Sequence, residues 1–411
     1  MSTTSTTTLA NILKTTYLDG MPNFENTNKP WMQRLERVTG RENFEGDKIV
    51  FAGQDGSNQG GGEVAEGGAI PEAGNMSLVN MELQMKHHYW TIRLTAQIIE
   101  QAANSKGAFG SVLDKSIMDA RTQSALNLAW HSVRGAGYGD LGRVLTPSTT
   151  TVTLRDQPTY IGLPGARFIR KGVKLDSYSA LTGGVQGASG VEVTQVTTST
   201  DTITVASGHG MTAGDYVFRK GSRGNSVMGL KGLVDDGTIL TSVQNLSRST
   251  NPMLNAGILS NSGTLRAWTP ELMDQGFSEA WNNGGGYWPS ACMSPLEIQQ
   301  RAAAYLRNDR RVAMTEMELD NGYKTVSWTT PDGNKPWLVD QFATPNEIMY
   351  LREEDLFFAI LHDWDFVDED GSKMRIVDRT HAFEMWLYTW RNLGARQFNN
   401  HSLLKDVSHT L

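Results

Sequence analysis

Several groups of residues in this chain have the types and spacing that chemistry requires. Gly137, Gly139 and Gly142 reproduce the G-x-G-x-x-G spacing of a dinucleotide fingerprint, in which glycines let a pyrophosphate approach a helix N-terminus. That chemistry needs a strand before the glycines and a helix after them. Here a helical pattern precedes them and none opens behind them, so the stretch reads as a glycine-rich exit turn. Asp363, Asp365, Asp368, Glu369 and Asp370 lead into Gly371 and offer the oxygen ligands that calcium takes. With Gly371 as the sixth loop position, however, Phe366 falls at the first, where a carboxylate is required. A hairpin turn at Asp370-Gly371 fits the dipeptide better.

His87 and His88 are adjacent, so on a strand they face opposite ways and cannot share a metal. His131, His209, His362, His381, His401 and His409 show no H-x-x-x-H spacing. Cys292 is the single cysteine, and without a G-x-S-x-G elbow or a P-loop it is a thin basis for a nucleophile. The cluster Arg307-Asn308-Asp309-Arg310-Arg311 reads as a solvated helix end or a subunit contact rather than a nucleic-acid site, given the acidic chain around it. No catalytic residue, cofactor or metal site is expected, and the chain does not read as an enzyme.

The elements that would have to position such residues point elsewhere. Residues 48–95 read as one very long hairpin. It opens on Lys48-Ile49-Val50-Phe51, passes through a glycine-rich stretch to Gly74, and returns through Met81, Leu83 and Met85 alternating with Glu82, Gln84 and Lys86, the period of a half-buried strand. At Tyr89-Trp90 the apolar set changes phase to Trp90, Ile92 and Leu94, which reads as a bulge or a handover between packing partners. So long and core-poor a segment needs surface from another subunit to become ordered.

Phe109, Val112, Leu113, Ile117 and Ala120, continued by Ala125, Leu126, Ala129, Trp130 and Val133, fall at helical spacing over residues 106–134. Asn104 or Ser105 suits its N-cap and Gly135 its end. Residues of about 150–265 are rich in Thr, Val, Gly and Ser and read as a small β-module with turns at Gly208, Gly214 and Asp236-Gly237. Helical patterns return at 270–282 and 295–311, each opening on proline. The last third reads as strands at Leu356–Ile360, Met374–Val377 and Ala382–Trp390, the last apolar on both faces and covered on both, though a buried helix would also accept it.

The bulk properties fit a large protein whose function is architectural. A chain of 411 residues exceeds the ~250–300 at which single cores stop growing, so two or more lobes are expected. A formal net charge of -7 argues against a protein whose main task is gripping phosphates. The lone cysteine suits a reducing compartment. The start of the sequence lacks the charged flank and apolar run of a signal peptide, and no segment approaches the ~20 apolar residues of a membrane span. Folding in a cytoplasm is expected.

An arm, a Gly-rich extended loop, a long spine helix, a Gly-rich exit turn, a β-rich middle and a strand-rich end follow one another in that order. In this the chain resembles the major capsid proteins of tailed bacteriophages, the Hong Kong 97 fold. The resemblance is carried by residues 61–74 (GGEVAEGGAIPEAG), 107–142, 229–237 (GLKGLVDDG), 246–252 (LSRSTNP) and 382–398 (AFEMWLYTWRNLGARQF), in order and spacing rather than in any one string. It implies an α+β fold with an N-terminal arm at 1–43, an extended β-hairpin loop at 44–95, and a peripheral domain with the spine helix at 96–142 and 346–392. An axial domain would take 143–345 and 393–411, including a β-rich insertion at about 166–245.

The function the resemblance implies is self-assembly into pentamers and hexamers of an icosahedral head around double-stranded DNA, held without sequence-specific binding. The partners implied are copies of the chain itself, a separate scaffolding protein, a portal protein and decoration proteins, with no membrane. Assembly would take place in the bacterial host cytoplasm. In the family the extended loop lies over a neighbour's peripheral domain. Residues 52–80 here contain Asp55, Glu63, Glu66 and Glu72 but no Lys or Arg. The tip is therefore expected to set Glu63, Glu66 and Glu72 against a basic patch of the adjacent subunit, with Val64, Ile70 and Pro71 in apolar contact. Some members weld their shells through lysine–asparagine isopeptide bonds; lysine is absent between Lys48 and Lys86, so this loop tip cannot donate one. The alternatives are an encapsulin-like nanocompartment and a β-rich tail or adhesin protein, which would not explain the spine helix.

Overall fold

The computed structural model describes residues 30–56, 58–95, 106–155, 166, 169–308, 315–318, 324–368, 373, 375–377 and 380–408. Most of the expected arm, the helix N-cap at 104–105, the Asp370-Gly371 turn and the 309–311 part of the arginine cluster lie outside these residues. In chain order the elements are α1 (Pro30–Arg34), β1 (Glu36–Val38), β2 (Lys48–Gly56), β3 (Ser77–Gln84), β4 (Lys86–Thr95) and α2 (Lys106–Arg134). Six strands follow: β5 (Asp140–Pro147), β6 (Thr151–Arg155), β7 (Lys174–Tyr178), β8 (Gln186–Thr197), β9 (Thr202–Val205) and β10 (Tyr216–Arg219). Then come α3 (Leu230–Leu233), β11 (Ser242–Val243), β12 (Leu246–Ser247), β13 (Gly257–Leu259), α4 (Pro270–Asn283), β14 (Ala291–Ser294) and α5 (Leu296–Asn308). The chain closes with β15 (Thr315–Glu318), β16 (Lys324–Thr330), β17 (Gly333–Val339), β18 (Ile348–Leu351), β19 (Leu356–Phe366), β20 (Arg375–Ile376), β21 (Ala382–Ala395) and β22 (Ser402–Leu404).

The helix expected over 106–134 is α2, and its chain stops where glycine enters, the Gly135 N–H bonding the His131 carbonyl at 2.8 Å. Ile117, Ala120, Ala125, Leu128, Ala129, Trp130 and Val133 are buried, because α2 packs on the sheet β1-β19-β21-β20, in which β4 also pairs with β21. Met385 and Leu387 of β21 and Ile92 and Leu94 of β4 supply the sheet's half of that core. The other face of β21 is only half-covered, against the expectation of burial on both sides. There Trp386, Tyr388 and Trp390 pack sideways instead: the Tyr388 ring stacks on Tyr89 at 6.1 Å and Trp390 lies 4.5 Å from His87. Aromatic rings cover one another along a sheet surface without needing a second layer.

The phase change in the returning strand also differs from the expected place. β3 pairs with β2 from Ser77 to Gln84, and after Met85 the chain passes to another sheet as β4, whose partner is β21. The handover therefore sits at Met85–Lys86, four residues before the first apolar sign of it at Trp90. Lys86 and the half-buried His88 occupy the new inward positions, and polar residues there hide the shift from a hydrophobicity pattern.

The β-rich middle is a closed barrel in the order β10-β5-β6-β9-β8-β7, filled by Val144, Val152, Leu154, Leu175, Val193, Ile203 and Val217 among others. Its strands run from Asp140 to Arg219, beginning and ending before both the β-rich stretch of about 150–265 expected from composition and the insertion of about 166–245 implied by the resemblance. The chain enters and leaves side by side, Ala136 bridging Met228. Glycine is required there: a Cβ on Gly229 would lie 2.2 Å from the His131 carbonyl oxygen, and one on Gly139 2.7 Å from that of Ser222. Asn392 of β21 ties the neck to the hairpin, accepting from the Met228 N–H at 2.8 Å and donating to the Gln84 carbonyl at 2.7 Å.

Beyond the neck, the strings at 229–237 and 246–252 fold into one another. Arg248, 2% exposed, donates to the carbonyls of Asp235, Leu254, Gly232 and Leu233 and stacks on Phe398. Asp235 in turn accepts from the N–H groups of Gly237, Ile239 and Leu240. The seven-stranded sheet β13-β22-β18-β14-β17-β16-β15 completes the fold. α4 starts on the Thr269 side chain, which accepts from the Leu272 N–H, and Gly276 lets the helix sit directly on the Tyr350 ring.

Lys231 of α3 is fully buried and ion-paired with Glu347 ahead of β18. Burial pulls its pKa down and Glu347 opposes that. Removing one partner strands the other charge away from water. Lys231→Met is expected to lower stability by about 3–5 kcal/mol, and Lys231→Met with Glu347→Leu to recover most of it. Urea unfolding of the unassembled subunit checks this; equal losses in the single and double variants would show that the pair is not the cause.

Candidate functional site

The feature the fold positions most conspicuously is the β2–β3 hairpin. Its base is built into the molecule. Ile49, Leu83 and Met85 pack with Phe357 and Ala359 of β19, and the Phe51 ring meets Phe357 edge-on at 5.8 Å. Gly394 of β21 makes room for this contact, since a Cβ there would lie 2.6 Å from Leu83. The Glu82 N–H bonds the Gln244 carbonyl, and Lys48 pairs with Glu82 across the strands at 3.0 Å.

The buried face ends at Gly53 and Met81. Outward from there none of the described residues covers the hairpin. The register between β2 and β3 slips at Gln54–Gly56, and residues 58–76 form no regular strand. Two glycines close the loop at its neck: a Cβ on Gly60 would lie 2.3 Å from the Gly74 nitrogen, and the Gly60 N–H bonds the Asn58 side chain at 2.8 Å.

Beyond that neck the structure places Glu63, Val64, Glu66, Ile70 and Glu72 in the open, with Pro71 half-covered against Gly62. Ile70 is 88% exposed. All six expected contact residues therefore lie on one projecting loop, with the acidic and apolar side chains interspersed. Met76 and Leu78 are also exposed and were not anticipated. Leu78 is out of phase with Met81 and Leu83, and that mismatch was the available signal. Isolated exposed apolar side chains are ordinary; here several of them share one projecting loop.

The groups singled out for chemistry are placed otherwise. Gly137 and Gly139 have φ of 81° and 82° and lead directly into β5, so that fingerprint presents no helix N-terminus to a phosphate. Cys292 is fully buried with its thiol donating to the Pro336 carbonyl, and burial holds its pKa well above the usual range. Asp363 is ion-paired with Arg391 at 2.8 Å. His87 is on the outer sheet face and His88 on the inner. His131 and His401 are buried. Burial is the main cause that holds His88 and His401 at about 4 and His131 at about 3, with Arg391, His87 and Lys86 adding to it at His88, His88 and Arg219 at His131, and Arg352 at His401. Among the described residues no helix is long and apolar enough to cross a membrane.

No protein-family model matches the sequence, and no curated protein matches it. Among solved structures, the cyanophage A-1(L) capsid asymmetric unit superposes on 98% of this chain and 99% of its own, with a TM-score of 0.54 at 12% identity. The holo-SrpI encapsulin complex of Synechococcus elongatus PCC 7942 covers 94% and 90%, at TM-score 0.44 and 9% identity. The capsid of a native GTA particle covers 92% and 89%, at TM-score 0.43 and 8% identity. The fold assignment rests on the first, a likeness of two whole chains.

The buried histidines make stability depend on pH. Each is held neutral in the folded chain and protonates near 6.5 when unfolded, so the unfolded state takes up more protons as pH falls. Stability is expected to be complete above about pH 6.5 and to decline towards pH 4, by up to roughly 1.4 kcal/mol per pH unit for each histidine. Urea midpoints at pH 7.5 and 5 check this, with His401→Gln expected to flatten the profile; a midpoint insensitive to pH would exclude it.

Proposed function

We propose that this chain, which has the α+β Hong Kong 97 type fold of a phage capsid subunit, is a major capsid protein that closes a shell with copies of itself. The observation that carries the reading is the hairpin: its base is fixed in the core, while its tip offers acidic and apolar side chains that none of the described residues covers, and we assign their cover to a second copy. Pentamers and hexamers built by repeating that contact would enclose a DNA genome, and the net charge of -7 suits a container that tolerates a polyanion without gripping it. A separate scaffolding protein, a portal and decoration proteins belong to the same reading, as does assembly in a host cytoplasm. Residues 1–43 would serve as the arm and 44–95 as the extended loop. Residues 96–142 with 346–392 would form the peripheral domain, and 143–345 with 393–411 the axial domain.

Negative-stain electron microscopy of the purified protein, expressed alone and beside its neighbouring genes, is the test. Closed icosahedral particles are expected. A stable monomer under both conditions would overturn the reading, and shells filled with protein cargo rather than DNA would favour the nanocompartment. Glu63→Lys with Glu66→Lys is expected to reduce particle yield severely while leaving the subunit's unfolding midpoint within about 0.5 kcal/mol, as exposed substitutions do. Normal particles from that variant would remove the acidic tip from the interface. Denaturing gels of wild-type shells should show monomer alone, since the loop tip holds no lysine; a covalent ladder would contradict this.

A further inference from the structure

A cavity of about 610 Å³ opens between β4, α2 and the turn that follows β10. Lys86, His88, His131, Arg219, Lys220 and Ser226 line it. His131 and Ser226 are 3% and 4% exposed. His131 Nδ1, Ser226 Oγ, His88 Nε2 and Arg219 Nε are all shielded from solvent, with no hydrogen-bond partner among the described residues. Lys86 is engaged elsewhere, its Nζ donating to the Gly224 carbonyl at 2.9 Å. The Arg219 guanidinium lies over the Trp90 ring, a contact that holds its plane but satisfies none of its N–H groups. Asp47 is the lone carboxylate in the lining.

This is an environment short of negative charge. Each buried polar group left unpaired costs about 1–3 kcal/mol; Arg219 Nε can only donate, the Ser226 hydroxyl and the histidine rings can donate to a ligand oxygen, and several cationic or protonatable groups meet here with one acid among the described residues. A cation would be repelled and a neutral ligand would leave Arg219 uncompensated. A group with several acceptor oxygens and negative charge can meet donors arriving from β4, α2, the end of β10 and the neck at once. A carboxylate has two such oxygens in one plane, whereas a phosphate presents three or four tetrahedrally. We propose that this cleft binds a phosphate group, with Arg219 and Lys220 supplying charge and His131 and Ser226 supplying hydrogen bonds. The volume exceeds that of a bare ion, so the phosphate is one carried on a nucleotide or on a nucleic-acid strand. The site is local and does not depend on the assembly reading.

The test uses the full-length subunit before assembly. Inorganic phosphate, adenosine monophosphate and a short single-stranded DNA are titrated against sodium chloride of equal ionic strength. Thermal unfolding and, for labelled DNA, fluorescence anisotropy are the readouts. Binding by at least one probe is expected, weakened tenfold or more by Arg219→Gln and by Lys220→Gln. Lys220 is exposed, so its variant keeps the test valid if Arg219→Gln does not fold. Imidazole nitrogen shifts of His131 should move towards the protonated form on binding, a change that general stabilisation does not produce. Mononucleotide binding identifies the free source and DNA binding alone the strand. Responses no larger than those to chloride, or affinity unchanged in both variants, would show that the cleft holds only water.

Discussion

The Arg248 guanidinium, buried among four carbonyls, is the interaction on which the arrangement of the lobes depends. An arginine so enclosed keeps its charge, and without its carbonyl acceptors it could not remain away from water. Gly232 and Leu233 belong to α3, Asp235 to the turn after it, and Leu254 to the approach to β13. The one side chain thus fixes the route by which the chain leaves the barrel neck and enters the seven-stranded sheet. The Lys231–Glu347 pair sits on the same short helix and reaches the strand next to β22. Two buried cations, each useless without its particular acceptors, fix the short helix and the turn after it against the seven-stranded sheet. Apolar packing alone would leave that placement adjustable.

Much of this was legible in the sequence, for identifiable reasons. α2 was plain because its apolar residues recur without a proline and meet Gly135. α4 was plain because Pro270 opens its helical pattern; the Thr269 cap appears only in the structure. The projecting loop was legible as an absence, since few residues from 54 to 78 can be buried by any period. What could not be read is what depends on pairing at a distance. The barrel's limits escaped composition because β5 and β6 carry buried aliphatic residues like any core strand, while the residues after Arg219 keep the Gly/Ser texture without joining the barrel. The handover at Met85 was masked by Lys86 and His88. Arg248 appeared as an ordinary polar residue in LSRSTNP, since no local pattern announces that four carbonyls will surround it. The candidate site fared in the same way: its six residues were proposed from charge and apolarity, and the structure places them on one loop, but the pinch of Gly60 on Gly74 arises only when the two strands meet.

The half-covered aromatic face of β21 and β4 belongs with the hairpin as surface left for others. Tyr89, Tyr388, Trp390 and His87 are ordered by contact with one another, so a partner approaching that face would meet rings already in place and would lose little entropy in ordering them. The hairpin offers the opposite kind of surface, an irregular loop with exposed acidic and apolar side chains and no ring-on-ring contacts.

The barrel neck has a consequence of another kind. Because the chain enters at Ala136 and leaves at Met228 as bridged neighbours, the described barrel strands between them form a self-cored body, joined to the rest by that neck and by the contacts of Arg219 with Trp90 and of Gly224 with Lys86. Lengthening one of its loops away from those contacts leaves the long helix and both sheets where they were. A turn such as that around Gly183 and Gly184, where Val185 already stands in solvent, is then a place at which a foreign peptide could be spliced and displayed.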